Sequence, residues 1–121
     1  MNWTTAFIIL AVVAIVYMLK RAGQISSKDA LAHLKKGALV IDVRSSAEFN
    51  SGHLRNAINL PLEEIETVLP RRVTDKNQLL LLHCQSGMRS GVAKKKLKGL
   101  GYANAFNLGS YGRAARVVNG R

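Results

Sequence analysis

The sequence predicts an α/β fold in which a mainly parallel sheet is covered by helices on both faces, with one apolar helix ahead of it. Three observations predict this. Short apolar runs of strand length recur at residues 38–43, 57–60, 78–83 and 105–108. Segments with helical start and stop signals lie between them. Residues 3–19 carry no charge at all.

That uncharged stretch comes first in the chain. As a helix rising ~1.5 Å per residue it is about 26 Å long, close to the hydrocarbon thickness of a bilayer. Its apolar residues surround the helix on all sides, and Trp3 and Tyr17 sit near its ends, where amphipathic rings favour an interface. Lys20 and Arg21 follow at once. A cleavable signal peptide carries its basic residues before the apolar run, which is not the pattern here. The expectation is a single-pass transmembrane anchor over residues 1–21, with the basic flank placing the C-terminal side in the cytoplasm. A linker over 22–26 and a domain over 27–121 complete the division.

Within the domain, Ser26 and Ser27 followed by Asp29 form a helix start, and Gly37 stops that helix. Residues 38–43 read as a buried strand. Ser45 or Ser46 caps a short helix through Phe49, ended by Gly52. After the strand at 57–60, Pro61 opens a helix over Leu62, Ile65 and Leu69, and Pro70 closes it. The strand at 78–83 is strongly apolar. A helix from about Ser90 to Leu100 ends at Gly101, and the last strand covers 105–108.

The net charge is +11. All seven acids lie between Asp29 and Asp75, whereas residues 89–121 hold eight Lys or Arg and no acid. Such a field attracts anions, whether lipid headgroups or a small anionic substrate. Nucleic acid is the weakest option, since no interleaved aromatics and no recognised binding motif accompany the charge. The run Lys94-Lys95-Lys96 reads as a solvated helix face, with a membrane-surface contact as the sharper alternative. Three His and one Cys without ligand spacing argue against a metal site, and no cofactor motif is present. A lone cysteine forms no intrachain disulfide and has no resolving partner, so anything it carries passes to an outside acceptor.

The informative segment is Leu79-Leu80-Leu81-Leu82-His83-Cys84-Gln85-Ser86-Gly87-Met88-Arg89-Ser90. An apolar strand runs into a short polar turn and then a helix. Cys84 thus stands at a strand end facing a helix N-terminus, where backbone N–H groups, the macrodipole and nearby Arg89 all favour a thiolate. A lone cysteine is ordinarily a small buried hydrophobe. Its neighbours Gln85, Ser86 and Gly87 are not core residues, which turns the reading toward function. His83 precedes Cys84, so on a strand it faces the other side and is poorly placed as a general base.

Cys84 to Arg89 resembles the six-residue active-site loop of rhodanese domains. Upstream, Val40-Ile41-Asp42-Val43-Arg44, Glu48-Phe49, Gly52-His53-Leu54 and Ala57-Ile58-Asn59-Leu60-Pro61 resemble the rest of the family signature, and Gly99-Leu100-Gly101-Tyr102 its last helix-to-strand turn. The resemblance covers about residues 25–108. It implies a rhodanese-like three-layer sandwich and a sulfurtransferase. The Cys84 thiolate would take a sulfane sulfur from a small anionic donor such as thiosulfate. It would then pass the sulfur to cyanide, a thiol or a protein acceptor. The amides from Gln85 through Ser86, Gly87 and Met88 to Arg89 would cradle the sulfur, and Arg89 would hold the donor or brace the loop. Asp42 and Arg44 would brace loops near the site, with Glu48 as a partner of Arg44, and His53 would buttress a turn.

Two positions depart from the family. Gly109-Ser110-Tyr111 stands where a Gly-Gly pair and a tryptophan are usual, so a shortened closing helix is expected, and Asn56 stands where glycine is usual. Other readings stay open. A cysteine phosphatase needs an arginine six positions after its cysteine, but that position is Ser90. A non-catalytic interaction module and a dedicated sulfur carrier would each keep the same fold.

Overall fold

The computed structural model describes residues 2–120, apart from the side chains at 20–22. The side chains of Lys20 and Arg21, on which the expected membrane orientation rests, lie outside the described residues, as do Met1 and Arg121.

Four parallel strands form the sheet: β1 (Leu39–Asp42), β2 (Ile58–Asn59), β3 (Leu80–His83) and β4 (Ala105–Gly109), in the order β2-β1-β3-β4. Buried on both faces, β3 is the apolar run the sequence predicts for an inner parallel strand. Side chains alternate between its faces. Leu80, Leu82 and Cys84 join one core with Ile41, Ile65, Leu69, Ala93 and Leu97. Leu81 joins a second core with Val40, Ala30, Leu34, Val117 and Val118. The first core is closed by α4 (Ile65–Arg72) and α5 (Met88–Gly99), the second by α2 (Ser27–Lys35) and α6 (Tyr111–Asn119). This is an α/β/α sandwich around a parallel sheet, as expected.

The helices start where small polar residues satisfy their free N–H groups. Ser26 accepts from the Asp29 amide and Ser110 from the Arg113 amide. Ser45, rather than Ser46, caps α3 (Ser46–Asn50) in a full capping box with Glu48. One expectation needs correction. Pro70 does not close its helix: α4 runs on to Arg72. Fully buried Ile65 and Leu69 pin that segment to the sheet, and the Val73 amide still reaches the Leu69 carbonyl at 2.8 Å. The closing helix α6 spans nine residues, and Ser110 supplies its cap. Asn56 adopts φ 65°, a left-handed conformation that asparagine tolerates, which suits a position where glycine is usual.

Ahead of the sandwich, α1 (Trp3–Ala22) is a 20-residue helix. Its large apolar side chains are exposed, among them Trp3, Phe7, Leu10, Val13 and Leu19. Among the described residues no helix is long and apolar enough to cross a membrane, so the expected transmembrane span is not supported. After α1, Gln24 and Ile25 do not hang free as a linker. Gln24 bridges Asn107 in parallel, and the Ile25 amide donates to the Asn107 carbonyl at 2.9 Å.

Candidate active site

The chain leaves β1 for β2 on one side and then crosses to β3 on the other. The strand order therefore reverses between β1 and β3, and the carboxyl ends of those two strands frame a crevice. Asp42 ends β1, opposite His83 at the end of β3, and Cys84 follows directly.

Residues 84–87 turn sharply into α5, with Gly87 in the left-handed region at φ 93° as its N-cap. This turn aims the Gly87 N–H at Cys84 Sγ, 2.9 Å away. The Ser90 hydroxyl lies 3.5 Å from Sγ, 3.1 Å from the Gly87 carbonyl and 2.7 Å from Asn107 Oδ1. Burial pushes the Cys84 thiol up, but the Ser90 hydroxyl and the backbone N–H groups of Ser90, Gly87 and Ser86 outweigh it. The thiol therefore titrates below its ordinary range. The cysteine is fully covered, and Gln85, Ser86 and Met88 form the exposed outer wall of the loop. N–H and hydroxyl donors thus converge on Cys84 Sγ at the N-terminus of α5.

Two arginine–carboxylate pairs hold the loop. Asp42 accepts from Arg44 through Nε at 3.0 Å and Nη2 at 2.7 Å, and Arg44 also donates to the Gly52 carbonyl at 2.8 Å and to Gln85 Oε1 at 3.5 Å. Its guanidinium lies 4.6 Å from the Tyr111 ring centroid. Glu48 is not the partner of Arg44. Its two oxygens take both ends of the Arg89 guanidinium, at 2.6 and 3.0 Å, and Arg89 holds its carboxyl down to about 2. The reason is geometric: Asp42, two residues from Arg44, already fills that guanidinium, while α3 faces the first turn of α5. Arg89 thus ties the first turn of α5 to α3.

His53 lies just after α3. Its Nδ1 is 2.9 Å from the Phe49 carbonyl, and its ring stacks on Phe49. His83 is fully buried on the face opposite Cys84, edge-on to Tyr111, and burial lowers its pKa.

Sequence reasoning missed Asn107. Its Nδ2 donates to the Gly87 carbonyl at 3.1 Å, while its Oδ1 accepts from the Gly109 amide at 2.9 Å and from Ser90. A signal was present, since Asn107 shares a strand face with buried Ala105, and a polar residue at a core position needs a partner. Tyr111 was also missed. A cleft of about 520 Å³ is lined by Gln24, Ile25, Leu31, Arg113, Arg116 and Val117 among others, with none of residues 84–89 in its lining.

Comparison with known proteins agrees with this geometry. The rhodanese-like domain model matches residues 26–112. The chain is 38% identical over 69 residues to thiosulfate sulfurtransferase PspE of Escherichia coli (strain K12), covering 57% of this chain and 66% of that protein. Among solved structures, a rhodanese with anions from E. coli superposes with TM-score 0.61 and 34% identity, over 64% of this chain and 91% of that one. The human single-domain sulfurtransferase TSTD1 gives TM-score 0.65 and 26% identity, over 78% and 96%. The cysteine cradle at the strand switch, the all-parallel sandwich and these matches lead to one conclusion: the chain belongs to the rhodanese-like sulfurtransferase family.

Proposed function

We propose that this chain moves a sulfane sulfur from a donor such as thiosulfate to a thiol or cyanide through a persulfide on Cys84. The observation that carries the reading is the Gly87 N–H at 2.9 Å from Sγ, in a loop that lowers the thiol's pKa. The Cys84 thiolate attacks the outer sulfur of thiosulfate. A new S–S bond forms, the bond to the sulfonate sulfur breaks, and sulfite leaves with the electron pair. The resulting persulfide is again an anion, and the same amides and the N-terminus of α5 stabilise it. Cyanide or a thiolate then attacks the terminal sulfur, and Cys84 departs as thiolate. Splitting the transfer in two is nucleophilic catalysis. Gln85, Ser86, Gly87, Met88 and Arg89 shape the cradle, with Arg89 bracing it through Glu48. Asp42, Arg44 and His53 hold the surrounding loops.

The same proposal places the domain at a membrane, held by α1, with the sandwich on the cytoplasmic side. The exposed apolar side chains of α1, with the rings of Trp3 and Tyr17 near its ends, support this. Alkaline carbonate washing should leave the full chain in the membrane pellet, and recovery in the supernatant would remove this part.

The chemistry is tested by thiocyanate formation from thiosulfate and cyanide. The wild-type chain should turn over and Cys84→Ser should not. Turnover retained by Cys84→Ser would overturn the reading.

A further inference from the structure

The catalytic loop is held from outside the span that matches the family. The model match begins at residue 26, yet Gln24 and Ile25 reach the site. Their backbone pairs with Asn107, through the Gln24 bridge and the Ile25 N–H to the Asn107 carbonyl at 2.9 Å. Arg113 ties the Ile25 carbonyl to β4 by donating both to it and to the Leu108 carbonyl. The side chain of the same Asn107 holds the Gly87 carbonyl and accepts from Ser90.

The Gln24 side chain makes a second link. A Cβ added at Gly87 would lie 3.2 Å from Gln24 Nε2, and one added at Gly109 would lie 3.1 Å from the same atom. The Gln24 amide therefore covers two glycines, both at positive φ, that build the cradle. Gly87 donates to Sγ, and the Gly109 carbonyl accepts from the Cys84 amide at 3.2 Å. A closer packed residue at either glycine is ruled out by space and by backbone conformation together. On the other side, Lys94 of α5 donates to the Gly23 carbonyl at 3.4 Å. The two residues between α1 and Ile25 are thus clamped between α5 and β4, against the loop that carries the nucleophile.

We propose that Gln24 is a positioning residue for the Cys84 loop, so that the junction between α1 and the domain sets how well the cradle holds the sulfur anion. This rests on the reading of Cys84 as the nucleophile. Gln24 acts through Gly87 and Gly109, not by touching substrate. A shift of the loop by a fraction of an ångström lengthens the Gly87 N–H to Sγ bond and weakens the thiolate.

The test uses the full chain in one detergent, comparing wild type, Gln24→Ala, Gln24→Met and the distant control Gln78→Ala. Three quantities are read: kcat and KM for thiosulfate, the pH midpoint of Cys84 alkylation by iodoacetamide, and Tm. Gln24→Ala should lower kcat about tenfold with KM within about twofold, and raise the alkylation midpoint by about half a pH unit. Gln24→Met restores the bulk over the glycines and should recover most of both, while Gln78→Ala should match wild type. If Gln24→Ala does not fold, Gln24→Asn, one methylene shorter, carries the comparison. A lower Tm with unchanged midpoint and kcat would overturn the proposal, because a merely structural contact moves only Tm. Should the wild type never take up sulfur, the sulfurtransferase reading fails on that result alone. The alkylation midpoints then still decide for or against Gln24.

Discussion

Arg44 and Arg89 are both arginines clasped by a carboxylate at the rim of the same loop, yet they sit in different dielectric surroundings. The Arg44 and Asp42 side chains are 6% and 0% exposed, whereas those of Arg89 and Glu48 are 38% and 35% exposed. The inner pair is a frame: Arg44 joins the end of β1 to the Gly52 turn, to Gln85 of the loop and to the face of Tyr111. The outer pair is a brace across the surface, screened by water and salt. Burial rather than residue type separates the buried frame from the solvent-screened brace.

The largest expected effect comes from breaking the inner pair. Asp42→Ala leaves a buried guanidinium without its charge partner and should cost about 3–5 kcal/mol, read from urea unfolding. Loss of much less would mean that Arg44 finds water or another acceptor, and the contrast with Arg89 would collapse. Arg89→Ala comes next and should act on chemistry more than on folding. Its unfolding midpoint should stay near that of wild type, while the rate of sulfur uptake from thiosulfate falls roughly tenfold as the brace and a local positive charge are lost. A variant that unfolds as readily as Asp42→Ala would erase the distinction.

Ser90→Ala sharpens the account of the thiolate. It removes the hydroxyl that lowers the Cys84 pKa, so alkylation at neutral pH should slow several-fold and its pH profile should move upward. An unmoved profile would leave the backbone amides as the sole cause. The smallest effect concerns Glu48, whose carboxyl is held at about 2 against an ordinary 4.5. Its folded-state pKa is depressed, so its contribution is present above the ordinary value. It is lost as pH falls through the window from about 4.5 to about 2, where the unfolded chain binds more protons. Glu48→Gln should therefore flatten the acid side of the stability profile slightly in that window and nowhere else.

Much of this molecule was legible in its sequence because the signals are local. The strand at Leu80–His83 announces itself by an unbroken apolar run, and Ser26 and the Ser45-Ser46 pair announce helix starts. Cys84 at a strand-to-helix turn carries its own chemistry. What sequence reading misassigned or missed depends on residues far apart in the chain. The Glu48–Arg89 pair spans 41 positions, and no local pattern says which of two arginines a carboxylate will choose. Pro70 looks like a stop until the burial of Ile65 and Leu69 outweighs it. Gln24 looks like linker because its purpose, covering two glycines more than sixty positions away, is written only in three dimensions.

The central claim is that sulfur resides on Cys84. The most direct measurement is the intact mass of the full chain after incubation with thiosulfate, before and after cyanide, with Cys84→Ala alongside. The account predicts a gain of one sulfur atom in the wild type that cyanide removes and that Cys84→Ala never acquires. A folded wild-type chain that gains no sulfur from thiosulfate, or a Cys84→Ala chain that gains it equally, would contradict it.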